Sequence, residues 1–149
     1  VSENTTPEET ARRAGAALWA KDKAAQGLGM EILAIGPGTA TLAMPVGDAM
    51  TNGHDIAHGG FIFTLADTAF AYACNSYGLT TVAAQASITF IRPGRRGDRL
   101  VATAREISRT GRSGIYDIQV TAAGTVIAEF RGHCRTVGGS FIDPAEPSA

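Results

Sequence analysis

The stretch 61–77, FIFTLADTAFAYACNSY, decides the fold. It contains neither Pro nor Gly, and Phe61, Ile62, Phe63, Leu65, Ala66, Ala69, Phe70, Ala71, Tyr72, Ala73 and Cys74 place apolar groups on every side of a helical wheel. That pattern predicts a helix buried all round rather than an amphipathic one, closed by Gly78. Such a helix must be surrounded, and the chain on either side supplies strands. Downstream, 82–91 alternates Val82, Ala84, Ala86, Ile88 and Phe90 with the residues between them and stops at Pro93-Gly94. Strands 100–108, 115–122 and 126–136 follow, the last two joined across Ala123-Gly124-Thr125. Upstream, 30–35 and 39–46 read as a hairpin turned at Gly36-Pro37-Gly38. The order is therefore helix, two strands, buried helix, four strands. It predicts an α+β domain in which an antiparallel sheet wraps the central helix.

Beyond this unit, Thr6-Pro7-Glu8-Glu9 carries a capping box with Pro at the first helical position. A packing helix is expected from there to Ala25, stopped by Gly27 and Gly29. Residues 1–5 and 140–149 are expected to be flexible, with the tail from Gly138 onward unpacked. At 149 residues the chain suits one domain, 1–149. With 13 basic against 14 acidic residues there is no global field to gather nucleic acid or an anionic membrane. No apolar run reaches the roughly 20 residues of a bilayer-spanning helix, and the polar N-terminus lacks the order of a signal peptide. Cys74 and Cys134, sixty positions apart, are expected to be free thiols. The expectation is a cytoplasmic protein.

Asp67 is the first residue that needs a chemical explanation. It is the one charged side chain between Asp55 and Arg92, in the middle of the apolar helix. Burying an unpaired carboxylate there costs several kcal/mol. Either a hydroxyl such as that of Thr64 or Thr68 satisfies it, or it is held for use as a general base or nucleophile. The second feature is the loop 47–60, with Asn52-Gly53-His54 and His58-Gly59-Gly60 leading into the helix. Paired glycines at a helix N-terminus let backbone N–H groups approach a ligand where the dipole favours negative charge, the geometry of an oxyanion hole. A flexible turn is the plain alternative. Seven residues of helix separate Gly60 from Asp67 by about 10 Å, too far to serve one reacting atom within one chain. If both act, the site must be shared between subunits.

Third, Arg92, Arg95, Arg96, Arg99, Arg105, Arg109 and Arg112 share a stretch with only Asp98 and Glu106 as acids. Arginines beside turn amides at Pro93-Gly94 and Gly111-Arg112-Ser113-Gly114 suit phosphate recognition, although a solvated face reads the same way. No aromatic residues interleave with them as stacking platforms for nucleic acid. The nucleophile elbow, the phosphate-binding P-loop and the dinucleotide fingerprint are absent. His54 and His58 lack a metal-binding pattern, and no metal is expected.

Taken together, Asn52-Gly53-His54, His58-Gly59-Gly60, Leu65-Ala66-Asp67-Thr68-Ala69, Phe90-Ile91-Arg92-Pro93-Gly94 and Gly97-Asp98 resemble the hot-dog-fold acyl-CoA thioesterases. Phe70-Ala71-Tyr72-Ala73-Cys74-Asn75-Ser76 narrows the resemblance to the PaaI family of phenylacetate-degradation thioesterases, over roughly 24–139. The resemblance implies a hot-dog fold, homodimers with one continuous sheet, and a homotetramer. It implies hydrolysis of phenylacetyl-CoA or its ring-hydroxylated relatives, without metal or organic cofactor. Carried over, Asp67 is the nucleophile or the base, the N–H of Gly60, with Gly59, polarises the thioester carbonyl, and Asn52 and His58 position carbonyl or water. Arg92, Pro93, Gly94, Arg95, Arg96, Arg112, Ser113 and Gly114 become candidates for binding coenzyme A. Phe61, Phe63, Thr68 and Tyr77 become candidates for the acyl pocket. A polar N-terminal extension, Asp55-Ile56-Ala57 inside the loop and the Arg95-Arg96 pair depart from the family pattern, and the loop difference bears on acyl preference. The competing readings are a non-catalytic acyl-CoA binding module and a hot-dog enoyl-CoA hydratase.

Overall fold

The computed structural model describes residues 4–143. Helix α1, Pro7–Trp19, starts as its sequence predicts: Thr6 is the N-cap, and its Oγ1 accepts a hydrogen bond from the Glu9 N–H at 3.1 Å. Thr6→Ala is expected to cost about 1 kcal/mol in urea denaturation, with Thr6→Ser restoring most of it. The helix does not continue to Ala25. It breaks after Trp19, and a second short helix, α2, Lys23–Gly27, begins under its own cap, in which Asp22 Oδ1 accepts from the Ala25 N–H at 3.0 Å. An Asp ahead of an Ala-rich turn was a readable start signal.

Strands β1, Glu31–Gly36, and β2, Thr39–Pro45, form the expected hairpin. The central helix α3, Gly59–Cys74, starts two residues earlier and ends three earlier than 61–77. Its end is set by Asn75, whose amide donates to the carbonyls of Ala71 and Thr81 and whose Oδ1 accepts from the Thr81 N–H, all at 2.9 Å. That side chain ties the helix terminus to the next strand, so the chain turns before Gly78, which lies at φ +80°. Strands β3, Leu79–Phe90, β4, Arg99–Thr110, β5, Ser113–Ala122, and β6, Thr125–Ser140, complete one antiparallel sheet in the order β1-β2-β4-β5-β6-β3.

The tail is a correction. β6 runs to Ser140, which pairs with Leu79, the Phe141 N–H donates to the Gly78 carbonyl at 3.1 Å, and the Arg13 guanidinium bonds the Asp143 carbonyl. Residues 138–143 therefore pack, because the first turn of β3 offers them open backbone partners. The rest of the expected flexible ends, 1–3 and 144–149, lies outside the described residues.

The sheet curls around α3. Leu42 and Met44 of β2, Leu100, Ala102 and Ala104 of β4, Tyr116, Ile118 and Val120 of β5, and Ala128 and Phe130 of β6 alternate inward and close on Leu65, Ala66, Ala69, Phe70 and Ala73. This is the helix-in-sheet arrangement that the resemblance implies. α3 is nevertheless not buried all round: Gly60, Phe63, Thr64, Asp67, Thr68 and Ala71 form a stripe that the sheet leaves partly open. Cys74 and Cys134 are buried free thiols. Among the described residues no helix is long and apolar enough to cross a membrane.

Candidate active site

The loop before α3 is a built turn. Asn52 Oδ1 accepts from the N–H groups of His54 at 2.9 Å and Ile56 at 3.4 Å, and Asp55 takes a positive φ of 61° to close it. With its oxygen so engaged, Asn52 has its Nδ2 donors left to offer a ligand. The loop is fastened to the 92–94 turn by the Ala57 N–H, which donates to the Gly94 carbonyl at 2.7 Å, and by a bridge between Ile56 and Arg95. These connections place Asn52, Ile56, Gly59, Phe90, Arg92 and Pro93 around one groove of about 540 Å³. Gly59 permits the close approach, since a Cβ there would lie 2.9 Å from the Phe90 ring.

His58 is the N-cap of α3, its Nδ1 accepting from the Gly60 N–H at 3.1 Å. The Gly60 donor is thus occupied by the cap, and a carbonyl oxygen would compete with the imidazole for it. The Gly59 N–H, at the groove, has no acceptor among the described residues. The sequence places both glycines at the helix start and gives His58 the role of donating or accepting a hydrogen bond that orders the glycine turn, and the imidazole does accept one, from Gly60. A ring nitrogen as a cap leaves no spacing signal of the Ser/Thr/Asp kind.

Asp67 lies eight residues along α3 from Gly59, about 12 Å of rise, on the open stripe. Neither neighbouring hydroxyl satisfies it: Thr64 Oγ1 donates to the Gly60 carbonyl at 2.8 Å and Thr68 Oγ1 to the Thr64 carbonyl at 2.6 Å. Burial raises the Asp67 pKa above the ordinary carboxylate value, and nothing opposes that shift. A carboxylate so placed is a better proton acceptor than an exposed one.

The other candidates divide. Arg92 lines the groove, its Nη1 donating to the Val126 carbonyl at 3.3 Å. Gly94 is packed against Ala57 and Ile127, and the Arg95 N–H is held by Asp98 at 2.8 Å. Arg96 is committed to Asp48, at 3.2 Å, and to Asp55. Arg112, Ser113 and Gly114 sit at the far end of the sheet, beside Thr136, which pairs with Thr81. Nine residues of β3, roughly 30 Å, separate Thr81 from Phe90 at the groove. Of the aromatic candidates, Phe61 meets the His58 ring edge-on at 6.3 Å, near the groove. Phe63 packs on Phe130 at 5.2 Å, and the Tyr77 hydroxyl donates to Glu106 at 2.9 Å beneath Arg109. One chain does not bring these aromatics together.

Comparison with known proteins bears on the fold and the family. The thioesterase superfamily model matches residues 54–129, from the loop before α3 to β6. The acyl-coenzyme A thioesterase PaaI of Escherichia coli K12 is 44% identical over 130 residues, 87% of this chain and 93% of that protein. The solved structure of the E. coli PaaI protein from the phenylacetic acid degradation operon superposes with a TM-score of 0.89 at 41% identity, covering 91% of this chain and 99% of that one. A Streptococcus mutans protein solved with acetyl CoA superposes at 0.72 with 26% identity, covering 74% and 90%. Matched to these relatives over most of its length, the chain has the hot-dog fold, belongs to the thioesterase superfamily and is a thioester hydrolase.

Proposed function

We propose that the protein hydrolyses acyl-CoA thioesters, with phenylacetyl-CoA and ring-hydroxylated phenylacetyl-CoAs as its substrates, at a site shared between two subunits. The observation that carries the reading is Asp67: a partly buried carboxylate without a hydrogen-bonding partner among the described residues, on the helix that opens with the free Gly59 N–H. The E. coli relative, named an acyl-coenzyme A thioesterase and drawn from a phenylacetic acid degradation operon, supports the substrate class.

In this mechanism the thioester carbonyl oxygen lies at the Gly59-Gly60 end of α3 in one subunit, where N–H groups and the helix dipole stabilise the developing oxyanion. Asn52 Nδ2 and Arg92, on the same groove, hold the carbonyl and the phosphate-bearing end of coenzyme A. Asp67 of the other subunit either takes a proton from water as it attacks or attacks the carbonyl carbon itself. Collapse breaks the C–S bond, and coenzyme A leaves as thiolate and is protonated; the water route releases the acid directly, whereas direct attack leaves an acyl–Asp67 anhydride that a water molecule then hydrolyses to the acid and the free carboxylate. No metal or organic cofactor takes part. Twelve ångströms of helix between Gly59 and Asp67 is the reason for two subunits.

The long edge strand β3 supports the pairing. Among the described residues its one strand neighbour is β6; the other edge has no strand beside it, with Thr81 alone taken up by the Asn75 side chain, and Val82 and Phe90 are exposed. Such an edge is managed by adding a strand from a second copy, and dimers of this kind would associate further into a homotetramer. A coenzyme A ester as substrate makes the cytoplasm the place of work.

The test is thiol release from a panel of arylacetyl-CoAs and straight-chain acyl-CoAs, with oligomer size measured by light scattering. Release fastest on the arylacetyl esters, from a dimer or tetramer, is expected. Binding without release would make this an acyl-CoA binding module, and water addition to an enoyl-CoA would make it a hydratase. Single-turnover hydrolysis in heavy-oxygen water, with label found in Asp67 or not, separates nucleophile from base.

A further inference from the structure

Cys74 and Cys134, the two cysteines of the chain, have no role in the hydrolysis described above. The fold brings them together. Helix α3 and strand β6 run side by side in the same direction: Phe63 packs on Phe130 at 5.2 Å, and a Cβ on Gly132 would lie 2.7 Å from the Phe70 ring. One further step, four residues of helix and two of strand, advances each element by about 6–7 Å. That step leads from Phe70 to Cys74 and from Gly132 to Cys134, and both thiols line one small cavity between helix and sheet. Gly114, the partner of Cys134 across β5 and β6, leaves the room, since a Cβ there would lie 2.8 Å from Cys134 Sγ.

We propose that Cys74 and Cys134 form an oxidation site for hydrogen peroxide, at which the two thiols become a disulfide that staples the end of α3 to β6. Cys134 Sγ attacks one peroxide oxygen and the O–O bond breaks. The hydroxide that leaves takes up the proton given up by Cys134, which becomes a sulfenic acid. Cys74 Sγ then attacks Cys134 Sγ, the S–O bond breaks, and a second water departs with the Cys74 proton. Two thiols are oxidised by two electrons, and one peroxide is reduced to two waters.

Access, size and order of attack each have a structural basis. Burial alone would leave both thiols inert. Their cavity, however, is rimmed by the β4–β5 turn, where Arg109, Gly111 and Arg112 are exposed, so entry is from solvent. Its volume of about 10 Å³ is on the order of the space one water molecule needs. A molecule close to that size enters, and a bulky disulfide such as oxidised glutathione does not. The hydrogen bond with Cys74 holds the Cys134 thiol below its ordinary pKa, and the Gly114 backbone adds to this, outweighing burial. The same contact, together with burial, pushes the Cys74 thiol up. Since the thiolate is the nucleophile, Cys134 attacks first and Cys74 resolves. Asp67 lies seven residues of helix, about 10 Å, from Cys74, so the staple forms outside the catalytic groups.

The test exposes the native, fully reduced protein to hydrogen peroxide and, separately, to oxidised glutathione, and follows free thiols, non-reducing chain size and intact mass. Peroxide is expected to remove both thiols and to lower the mass of a monomer-sized chain by two hydrogens. The Tm is expected to rise by about 5 °C or more, as a cross-link closing a long loop makes it do, and to return with dithiothreitol. Oxidised glutathione is expected to react about tenfold or more slowly with the folded protein than with the protein in urea. Cys74→Ser is expected to stop at a Cys134 sulfenic acid that dimedone captures, whereas in Cys134→Ser the Cys74 thiol stays reduced. Thiols that survive peroxide in the folded native protein, a cross-link between chains in place of one within a chain, or a Tm that does not rise overturns the proposal. Oxidised glutathione acting as fast on the folded protein as in urea overturns the selection by size, and dimedone captured on Cys74 overturns the order of attack.

Discussion

Asp67→Asn is expected to lower the rate of thioester hydrolysis by about 10²–10⁴-fold, the range for loss of a positioned general base, while making the protein more resistant to heat at neutral pH. The two effects have one cause. Burial raises the Asp67 pKa in the folded protein above its unfolded value, so the native state binds the proton more tightly. The resulting stability is fully present below the ordinary carboxylate pKa and is lost as pH rises through the elevated folded value. Above it, the protein carries a partly desolvated anion that no side chain satisfies among the described residues. Asn removes that charge. Its Tm advantage should therefore be present at pH 7 and vanish as the pH falls below the carboxylate range. In the native enzyme kcat should rise with pH through the same elevated value, since only the carboxylate accepts a proton. Thermal melts across pH, together with thiol release, check both. An inactive variant with unchanged or lowered Tm at pH 7 would show that Asp67 is satisfied in the assembled protein and is not held in reserve for chemistry.

The second large effect is structural. Gly132→Ala is expected to destabilise the domain by about 1–3 kcal/mol, as overpacking in a close-packed core does. A Cβ on Gly132 would lie 2.7 Å from two atoms of the Phe70 ring. That ring cannot readily turn aside: it is 1% exposed and wedged between Tyr116, at 5.7 Å, and Phe130, at 5.9 Å. Phe70→Leu, which vacates ring volume, should therefore restore part of what Gly132→Ala loses. In urea denaturation the double variant should be more stable than the two single losses added together. Strict additivity would mean that the strand, not the ring, yields. Because Phe70 seats α3 on the sheet one turn from Asp67, the same variant should also lower activity before it unfolds.

Much of this molecule is readable in one dimension. The apolar run of α3, the alternation of Leu100, Ala102 and Ala104 or of Tyr116, Ile118 and Val120, and the Thr6 cap are local patterns whose physics acts within a few residues. The paired glycines and the lone carboxylate were legible for the same reason, as was the length of helix between them. Less legible were the features set by neighbours distant in sequence. The break between α1 and α2 carried a signal in Asp22 that a helix-period reading overrode. The tail at 138–143 looks unpacked because its partners, Leu79 and Gly78, lie sixty residues upstream.

Local pattern alone specifies an α+β domain around a central helix, with paired glycines at one end and a lone carboxylate about 10 Å of helix away from them, because helix rise and side-chain period are local properties. Tertiary structure decided which side chains meet. It sent Phe63 to Phe130 and Tyr77 to Glu106, and set Arg92 at a groove roughly 30 Å of strand away from the Arg112 turn. Such meetings depend on sheet order and register, in which β3 lies beside β6 rather than β4, and no spacing within a single segment encodes that order.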